Sequence, residues 1–319
     1  MATDLHTDLN ADLNIDMDKA ADFMATHARV LDRRRFELLF GRPARHGVLD
    51  GVREGVVAAL DGYRNPDGGY GWGLEPDLRS PESQPATAAH AFEVFAEVGG
   101  HPHAARLCDW LDSVTLPDGG VPFALPATGE AGNAPWWAEA DTSVSSLQIT
   151  AFTLVAARRA ARVDPAVAAH RWLERAARYC LDAIGSLDGR PHAYVLAFSV
   201  RVLDSLRDDH PEASALLERL AEQVPGDGRV RVEGGTENEF LRPLDFAAVP
   251  GRPPAGLFAP EIVRADLAEL ASGQREDGGW TVEYARISPA GAMDWRGYET
   301  LRVLTALREA GELARRTTD

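Results

Sequence analysis

The sequence predicts an all-α protein, and three observations carry the prediction. Segments with a helical periodicity of apolar residues fill most of the chain. Asp-Gly turns separate these segments, and three of the turns read Asp-Gly-Gly, beginning at Asp67, Asp118 and Asp277. Alternation with a period of two appears only over residues 228–235, which could form one arm of a hairpin. A turn that recurs between helical segments is typical of a repeat architecture.

Each repeat consists of a half-exposed helix, a turn and a more buried helix. The first helices are amphipathic and are expected at about residues 52–60, 105–111, 172–184, 215–224 and 262–270. The second helices are richer in alanine and apolar nearly all round, and they are expected at about residues 86–98, 146–161, 192–206 and 296–310. A further helix is predicted over about residues 18–40. About five to six such pairs would close into a ring around a central cavity or stack into an open solenoid.

The composition argues against several classes of partner. The chain has 319 residues, of which 33 are basic and 49 acidic, and its net charge is −16. Such a charge disfavours nucleic acid and anionic membrane surfaces, because both require a basic face. No apolar run approaches the roughly 18 residues of a membrane span.

The ends of the chain and its cysteines predict a cytoplasmic protein. Cys108 and Cys180 are too few for a disulfide framework and suit a reducing compartment. Residues 1–16 are polar and acidic, and they lack the basic start and apolar centre of a secretory signal. We therefore expect a flexible segment over residues 1–16 and one domain over residues 17–319, present as a monomer or a homodimer.

The fifth unit contains the phrase Gln274-Arg275-Glu276-Asp277-Gly278-Gly279-Trp280. Its glycines permit left-handed backbone conformations, and the side chain of Asp277 can accept a hydrogen bond from the backbone two residues later. Gln274 can reach across to cap a helix end, and the ring of Trp280 can pack on that amide. A purely structural role therefore explains the motif.

This phrase resembles the QW repeat of the squalene-hopene cyclase and protein prenyltransferase superfamily. Earlier units are degenerate copies: residues 67–70 keep an aromatic residue but have Arg64 in place of Gln, and residues 118–121 keep only the turn. The resemblance covers about residues 48–311. It implies that residues 17–319 form a single α/α toroid of about five to six helix pairs with Asp-Gly-Gly turns.

Class II terpene cyclases of this superfamily protonate an alkene or epoxide with the middle Asp of an Asp-x-Asp-Asp motif, of which Asp-x-Asp-Thr is a variant. The nearest phrase here is Glu139-Ala140-Asp141-Thr142. Matching the two makes Asp141 the candidate acid and Glu139 its helper, in place of the first Asp. A carboxylic acid in an apolar pocket keeps its proton because burial disfavours the anion. The alternative is that Asp141 caps the helix that follows.

Aromatic and basic residues near the starts of the second helices are candidates for binding a substrate. The faces of aromatic rings suit an apolar substrate and stabilise carbocations. Three arginines could bind a diphosphate at the entrance of the cavity, because a chain of charge −16 would otherwise repel it. If these arginines do not converge, a neutral substrate is the better interpretation. The aromatic set is Trp72, Trp136, Trp137, His192, Tyr194, Phe240, Trp295 and Tyr298, and the basic set is Arg79, Arg242 and Arg296.

Cofactor predictions are limited to one metal. Glu75 and Asp77 could hold Mg²⁺ through their oxygens. No Cys/His spacing suits zinc, and no phosphate-binding glycine loop supports a nucleotide cofactor.

The function predicted from the resemblance is a terpene cyclase-like enzyme that starts the cyclisation of a small apolar isoprenoid by protonation. One alternative is a carbohydrate-active toroid that uses paired carboxylates, with Glu75/Asp77, Glu139/Asp141 and Glu237/Glu239 as candidates. Another is a non-catalytic toroid that binds a lipid or a protein partner.

Overall fold

The computed structural model describes residues 15–41, 46–129, 131–284 and 286–311, and this part of the chain is predominantly helical, as predicted. Residues 1–14 of the predicted flexible segment lie outside the described residues, whereas Asp16 caps the first helix. The helices are α1 (Met17–His27), α2 (Val30–Phe40), α3 (His46–Asp61), α4 (Pro85–Val98), α5 (Pro102–Val114), α6 (Pro135–Ala138), α7 (Leu147–Ala161), α8 (Pro165–Ala168), α9 (Arg171–Gly185), α10 (Ala193–Leu206), α11 (Glu212–Ala221), α12 (Pro260–Ser272) and α13 (Pro289–Glu309). None of the helices in these ranges is long and apolar enough to cross a membrane.

Helices α4, α7, α10 and α13 follow turns and form the more buried half of the molecule. Helix α4 illustrates the pattern: Pro85 stands at its first turn, and Gly99 ends it in a left-handed conformation with φ 87°. Helix α7 packs between α4 and α10, while α2 contacts both α4 and α13. The largest core cluster consists of the apolar faces of α4, α7 and α10 together with those of α3, α5 and α9, while apolar side chains of α13 lie in two smaller clusters.

The structure differs from the sequence-based expectations at two helices. The predicted helix over 18–40 is two helices, because Ala28 and Arg29 adopt extended conformations between α1 and α2. Helix α13 begins at Pro289 rather than near residue 296, because the Ser288 side chain caps it by accepting a hydrogen bond from the Gly291 amide.

A hairpin and a short 3₁₀ helix follow the Asp227-Gly228 turn, where other units have a long second helix. Strands β1 (Val230–Arg231) and β2 (Phe240–Leu241) pair antiparallel, so residues 228–235 do include a hairpin arm. The 3₁₀ helix (Pro243–Phe246) contacts α10 and α12. This irregular unit brings loop residues to the site described below.

The three Asp-Gly-Gly turns are built alike. In each, the Asp side chain accepts a hydrogen bond from the second glycine amide, at 2.9 Å for Asp67 and 3.2 Å for Asp118 and Asp277. The first glycine has φ between 91° and 98°, which disfavours any residue with a Cβ atom. The second glycine lies against a ring: a Cβ atom on Gly279 would come within 2.7 Å of Phe23.

Gln274 joins the last turn to Asp16, the residue that caps α1. Its side-chain oxygen accepts from the Asp16 amide at 2.8 Å, and its nitrogen donates to the Asp16 carbonyl at 2.8 Å and the Gly278 carbonyl at 3.0 Å. Trp280 donates from Nε1 to the Leu270 carbonyl at 2.7 Å. The motif thus ties α1 to the turn between α12 and α13.

Candidate functional site

A buried pair of carboxyl groups, Glu75 and Asp77, lies in the loop between the first Asp-Gly-Gly turn and α4. The two residues are 5% and 7% exposed. Asp77 accepts a hydrogen bond from Trp137 Nε1 at 3.1 Å, and Glu75 Oε2 lies 2.9 Å from His90 Nε2. Burial, then the charge of Glu75 and the hydrogen bond to it, raise the pKa of Asp77 to about 8. Burial and the neighbouring carboxylate therefore favour the protonated form of Asp77.

Backbone contacts from other parts of the chain fix this loop. Arg29 donates from Nη1 to the carbonyls of Gly73 and Leu74 at 3.2 and 3.0 Å, which its position in the break between α1 and α2 permits. The Asp77 carbonyl accepts from the Ala134 amide at 2.8 Å. The loop that carries the carboxyl pair is thus held by hydrogen bonds on two sides.

His90 on α4 stands between two carboxylates. Its Nδ1 lies 3.8 Å from Glu93, on the side opposite Glu75. Burial alone would lower the pKa of His90, but the hydrogen bonds and charges of Glu75 and Glu93 raise it to about 9. Burial would raise the pKa of Glu93, yet His90 and Arg35 lower it to about 2. An imidazolium ion thus faces the carboxyl pair at neutral pH.

Aromatic side chains from three helices converge beside His90. The imidazole ring lies 5.7 Å from Phe152 on α7, and 6.3 and 5.0 Å from Trp295 and Tyr298 on α13. Phe152 in turn lies 5.1 Å from Phe198 on α10. These rings are half-buried although their helices pack closely, so they border an interior space. We call this group, with Tyr194, Tyr284 and His90, the aromatic interior.

An open cleft leads toward this region from the surface. It has a volume of about 770 Å³ and is lined by residues that include Glu237, Phe240 and Tyr284. The ring of Tyr284 lies 5.0 Å from that of Trp295, so one side chain contacts both the cleft and the aromatic interior. Burial, followed by the charge of Glu299, raises the pKa of Tyr284.

The candidate acid of the motif resemblance does not lie in this region. Asp141 and Glu139 are both exposed, on the loop that follows the four-residue helix α6. Asp141 Oδ1 accepts hydrogen bonds from the amide and hydroxyl of Ser143 at 2.9 and 2.6 Å, and these bonds lower its pKa. The burial that would keep a proton on Asp141 is missing. Asp141 stabilises a turn, while Ser146 caps the next helix.

The predicted aromatic residues divide into an interior group and a surface group. Tyr194, Trp295 and Tyr298 lie in the aromatic interior, and the buried Trp137 donates a hydrogen bond to Asp77. Trp72 and Trp136 are 55% and 40% exposed. His192 caps α10 by accepting from the Tyr194 amide, and Phe240 lies in the cleft beneath the guanidinium groups of Arg229 and Arg231.

Each of the three predicted arginines is already paired with carboxylates, and they share no partner. Arg79 binds Asp294 at 2.7 Å. Arg242 binds Asp266 and Glu269 at 2.8 and 2.7 Å, and Arg296 binds Asp277 at 2.8 Å. A diphosphate-binding entrance built from these three side chains is therefore not assembled.

The predicted Mg²⁺ ligands Glu75 and Asp77 lie together, but as partners of each other and of His90 and Trp137. Within the described ranges, no group of three or more His, Cys, Asp and Glu side chains is arranged to hold a metal ion. Metal ligands must be deprotonated, so the protonated Asp77 is a weak one at neutral pH.

Sequence reasoning missed His90, Glu93 and the aromatic residues in the middle of the helices. One signal was available: His90 and Glu93 are the polar residues with long side chains in the otherwise apolar first part of α4, and they lie on one face. No family model matches the chain, and no curated protein is significantly similar to it.

Proposed function

We propose that the helices form a single α/α toroid, in line with the resemblance of the Gln274–Trp280 motif to QW repeats. Contacts between successive inner elements support this arrangement: α2 contacts α4, α4 contacts α7, and α7 contacts α10. The 3₁₀ helix contacts α10, and its Asp245 pairs with Arg302 of α13 at 3.5 Å. Helix α13 in turn contacts α2. In this proposal the aromatic interior is the central cavity.

We infer that the protein is an enzyme that protonates a carbon–carbon double bond of an apolar, isoprenoid-type substrate, with Asp77 as the acid. The observation that carries this proposal is the buried carboxyl group of Asp77, which lies next to Glu75 and accepts a hydrogen bond from the ring N–H of Trp137. Desolvation holds the proton at neutral pH, and a general acid must be protonated at its working pH. Asp77 thus replaces Asp141 as the candidate acid, while the class of reaction stays the one that the resemblance implies.

The step transfers the Asp77 proton to one alkene carbon, and the π electrons form the new C–H bond. Positive charge develops on the other carbon, and a second double bond of the substrate can attack it to close a ring. The Trp137 N–H and the charge of His90 both favour the ionised form of Asp77, so they stabilise the carboxylate that remains. When the final cation loses a proton to the carboxyl pair, the product has the composition of the substrate.

The aromatic interior suits the cationic intermediates of such a reaction. The faces of Trp and Tyr rings attract cations, each by about 0.5–2 kcal/mol when water is excluded. Trp295 and Tyr298 supply such rings, as does Tyr284. The pairing of Arg79, Arg242 and Arg296 with carboxylates supports a reacting segment that is a neutral hydrocarbon.

The direct test is incubation with isoprenoids of different length and charge, read by mass spectrometry. Farnesol, squalene, farnesyl diphosphate and geranylgeranyl diphosphate, each with and without Mg²⁺, cover the choices. We expect an isomer of at least one substrate, formed by the wild type and by Asp141→Asn but not by Asp77→Asn. Absence of any isomer, or equal activity of Asp77→Asn, contradicts the proposal.

A second candidate function is glycoside hydrolysis, and one observation favours it. The hydroxyl of Tyr194 donates to Glu239 at 2.7 Å, and Tyr194 is close enough to Asp77 to be affected by its charge. A buried acid and a second carboxyl group near one cavity are what glycosidases use. Release of nitrophenol from nitrophenyl glycosides, lost in both Asp77→Asn and Glu239→Gln, would support this function over the first.

A further inference from the structure

Arg201 is a half-buried arginine of α10 that faces the interior of the molecule. Tyr194, Phe198 and Arg201 are spaced four and three residues apart, so they lie along one face of the helix. Phe198 contacts the aromatic interior through Phe152, and the Arg201 guanidinium lies 4.9 Å from the Phe198 ring centre. Arg201 therefore lies about one helical turn beyond Phe198, on the same face of α10.

The groups that face Arg201 come from three other elements. They are Asp245 of the 3₁₀ helix, Arg302 and Tyr298 of α13, and Glu93 of α4. Arg201 Nε donates to the backbone carbonyl of Asp245 at 2.5 Å. Within the described part of the chain, no carboxylate oxygen lies within the 4.0 Å of an ion pair with Arg201.

The nearby carboxylates are already bound to other cations. Glu299 forms two hydrogen bonds of 2.7 Å with Arg302, and Asp245 lies 3.5 Å from the same guanidinium. Glu93 lies 3.5 Å from Arg35 and accepts from the Tyr298 hydroxyl at 3.0 Å. Burial lowers the pKa of Arg201, the expected effect on a cation removed from water without an anion.

A guanidinium group that is removed from water without a carboxylate partner costs free energy of folding, and an anion that binds beside it offsets that cost. Arginine also presents a planar set of donors that fits a carboxylate or a phosphate with two hydrogen bonds. We propose that Arg201 binds the carboxylate or phosphate group of an amphipathic ligand whose apolar part lies against Phe198 and the rest of the aromatic interior. This inference rests on the proposed function in taking the aromatic interior as the ligand site, and it adds an anionic end to the substrate.

The test measures whether Arg201 discriminates charged from neutral ligands of one chain length. Dodecanoate, dodecyl phosphate and dodecan-1-ol, each below its critical micelle concentration, are titrated into the full-length protein by calorimetry. We expect the wild type to bind at least one of the two anions at least tenfold more tightly than the alcohol. The stronger anion identifies the acid group.

Two variants locate the discrimination. Arg201→Met has a similar length without the charge, and thermal unfolding checks that it is folded. We expect it to bind both anions and the alcohol within about twofold of each other. Arg207→Met is the matched control, because Arg207 follows α10 directly, is 40% exposed and pairs with Asp204; it should behave as the wild type.

The proposal is overturned if neither anion binds, if the wild type does not discriminate, or if Arg201→Met discriminates as well as the wild type. Its failure is separable from that of the proposed function. Anion binding through Arg201 without any isomerised isoprenoid overturns the function alone. Isomerisation that depends on Asp77, with no role for Arg201 in binding anions, overturns the anion site alone.

Discussion

Replacement of Asp77 by Asn should stabilise the protein by an amount that depends on pH. The pKa of Asp77 is about 8 in the folded protein against 3.8 for an ordinary Asp. Because the folded pKa is the higher one, stability is greatest below pH 3.8 and falls as the pH rises toward 8. At 1.36 kcal/mol per pH unit, retention of this proton costs about 2 kcal/mol at pH 5 and about 4 kcal/mol at pH 7.

The asparagine variant removes that cost while it preserves the contacts. Its carbonyl can accept from Trp137 and its amide can donate to Glu75. We therefore expect Asp77→Asn to be more stable than the wild type by a margin that grows with pH. The gain in its free energy of unfolding over that of the wild type should be about 2–3 kcal/mol larger at pH 7 than at pH 5. Urea denaturation at the two pH values measures it, provided that the dependence on urea is the same for both proteins.

Asp141→Asn is the matched control. Asp141 is exposed and its pKa is lowered by Ser143, so it is ionised in both the folded and the unfolded chain over pH 5–7. Its difference from the wild type should therefore not change over that range. If the difference for Asp77→Asn were equally constant, Asp77 would titrate as an ordinary surface carboxyl group, and the argument for a buried acid would fail.

Three further predictions concern the site and the turns. The imidazole of His90 should titrate near pH 9 when followed by NMR. Its stabilising effect on the fold is present below pH 6.5 and should be lost as the pH rises through 9. A titration midpoint of His90 near pH 6.5 would contradict the proposed charges. Gly279→Ala should destabilise the protein by about 2 kcal/mol because the new methyl group meets Phe23. Gly51→Ala on α3 is the control: there is open space around Gly51, and the variant should stabilise the protein by up to about 1 kcal/mol. Gln274→Ala should lower the free energy of unfolding by about 1–2 kcal/mol, and an unchanged urea midpoint would show that its bonds to α1 contribute nothing.

The helical architecture was predictable because periodicity and turn chemistry are local properties of the chain. The first glycine of each Asp-Gly-Gly turn is required by its positive φ, and Pro85 and Gly99 mark the ends of α4. The break at Ala28 was not predictable, because the contacts of Arg29 with a loop over 40 residues away accompany it. The absence of a long helix after Asp227 likewise depends on tertiary packing.

The site was predicted only in part, because a motif match places a residue in the sequence and not in the core. Asp141 fits the motif but lies on the surface, whereas Asp77, predicted as a metal ligand, is buried beside Glu75. The difference arises from neighbours distant in sequence, since Trp137 contacts Asp77, His90 contacts Glu75, and no local pattern connects these residues. Trp137, Trp295 and Tyr298 were among the predicted aromatic residues, but Trp295 and Tyr298 lie within α13 and not at its start.

The most direct test of proton donation by Asp77 is the fate of the proton itself. The protein is incubated in D₂O with the isoprenoid that it converts, and the isomer is analysed by mass spectrometry. The proposal predicts a product that has gained one deuterium at the protonated carbon, formed by the wild type and by Asp141→Asn but not by Asp77→Asn. A product without deuterium, or deuterated product from Asp77→Asn at the rate of the wild type, would contradict it.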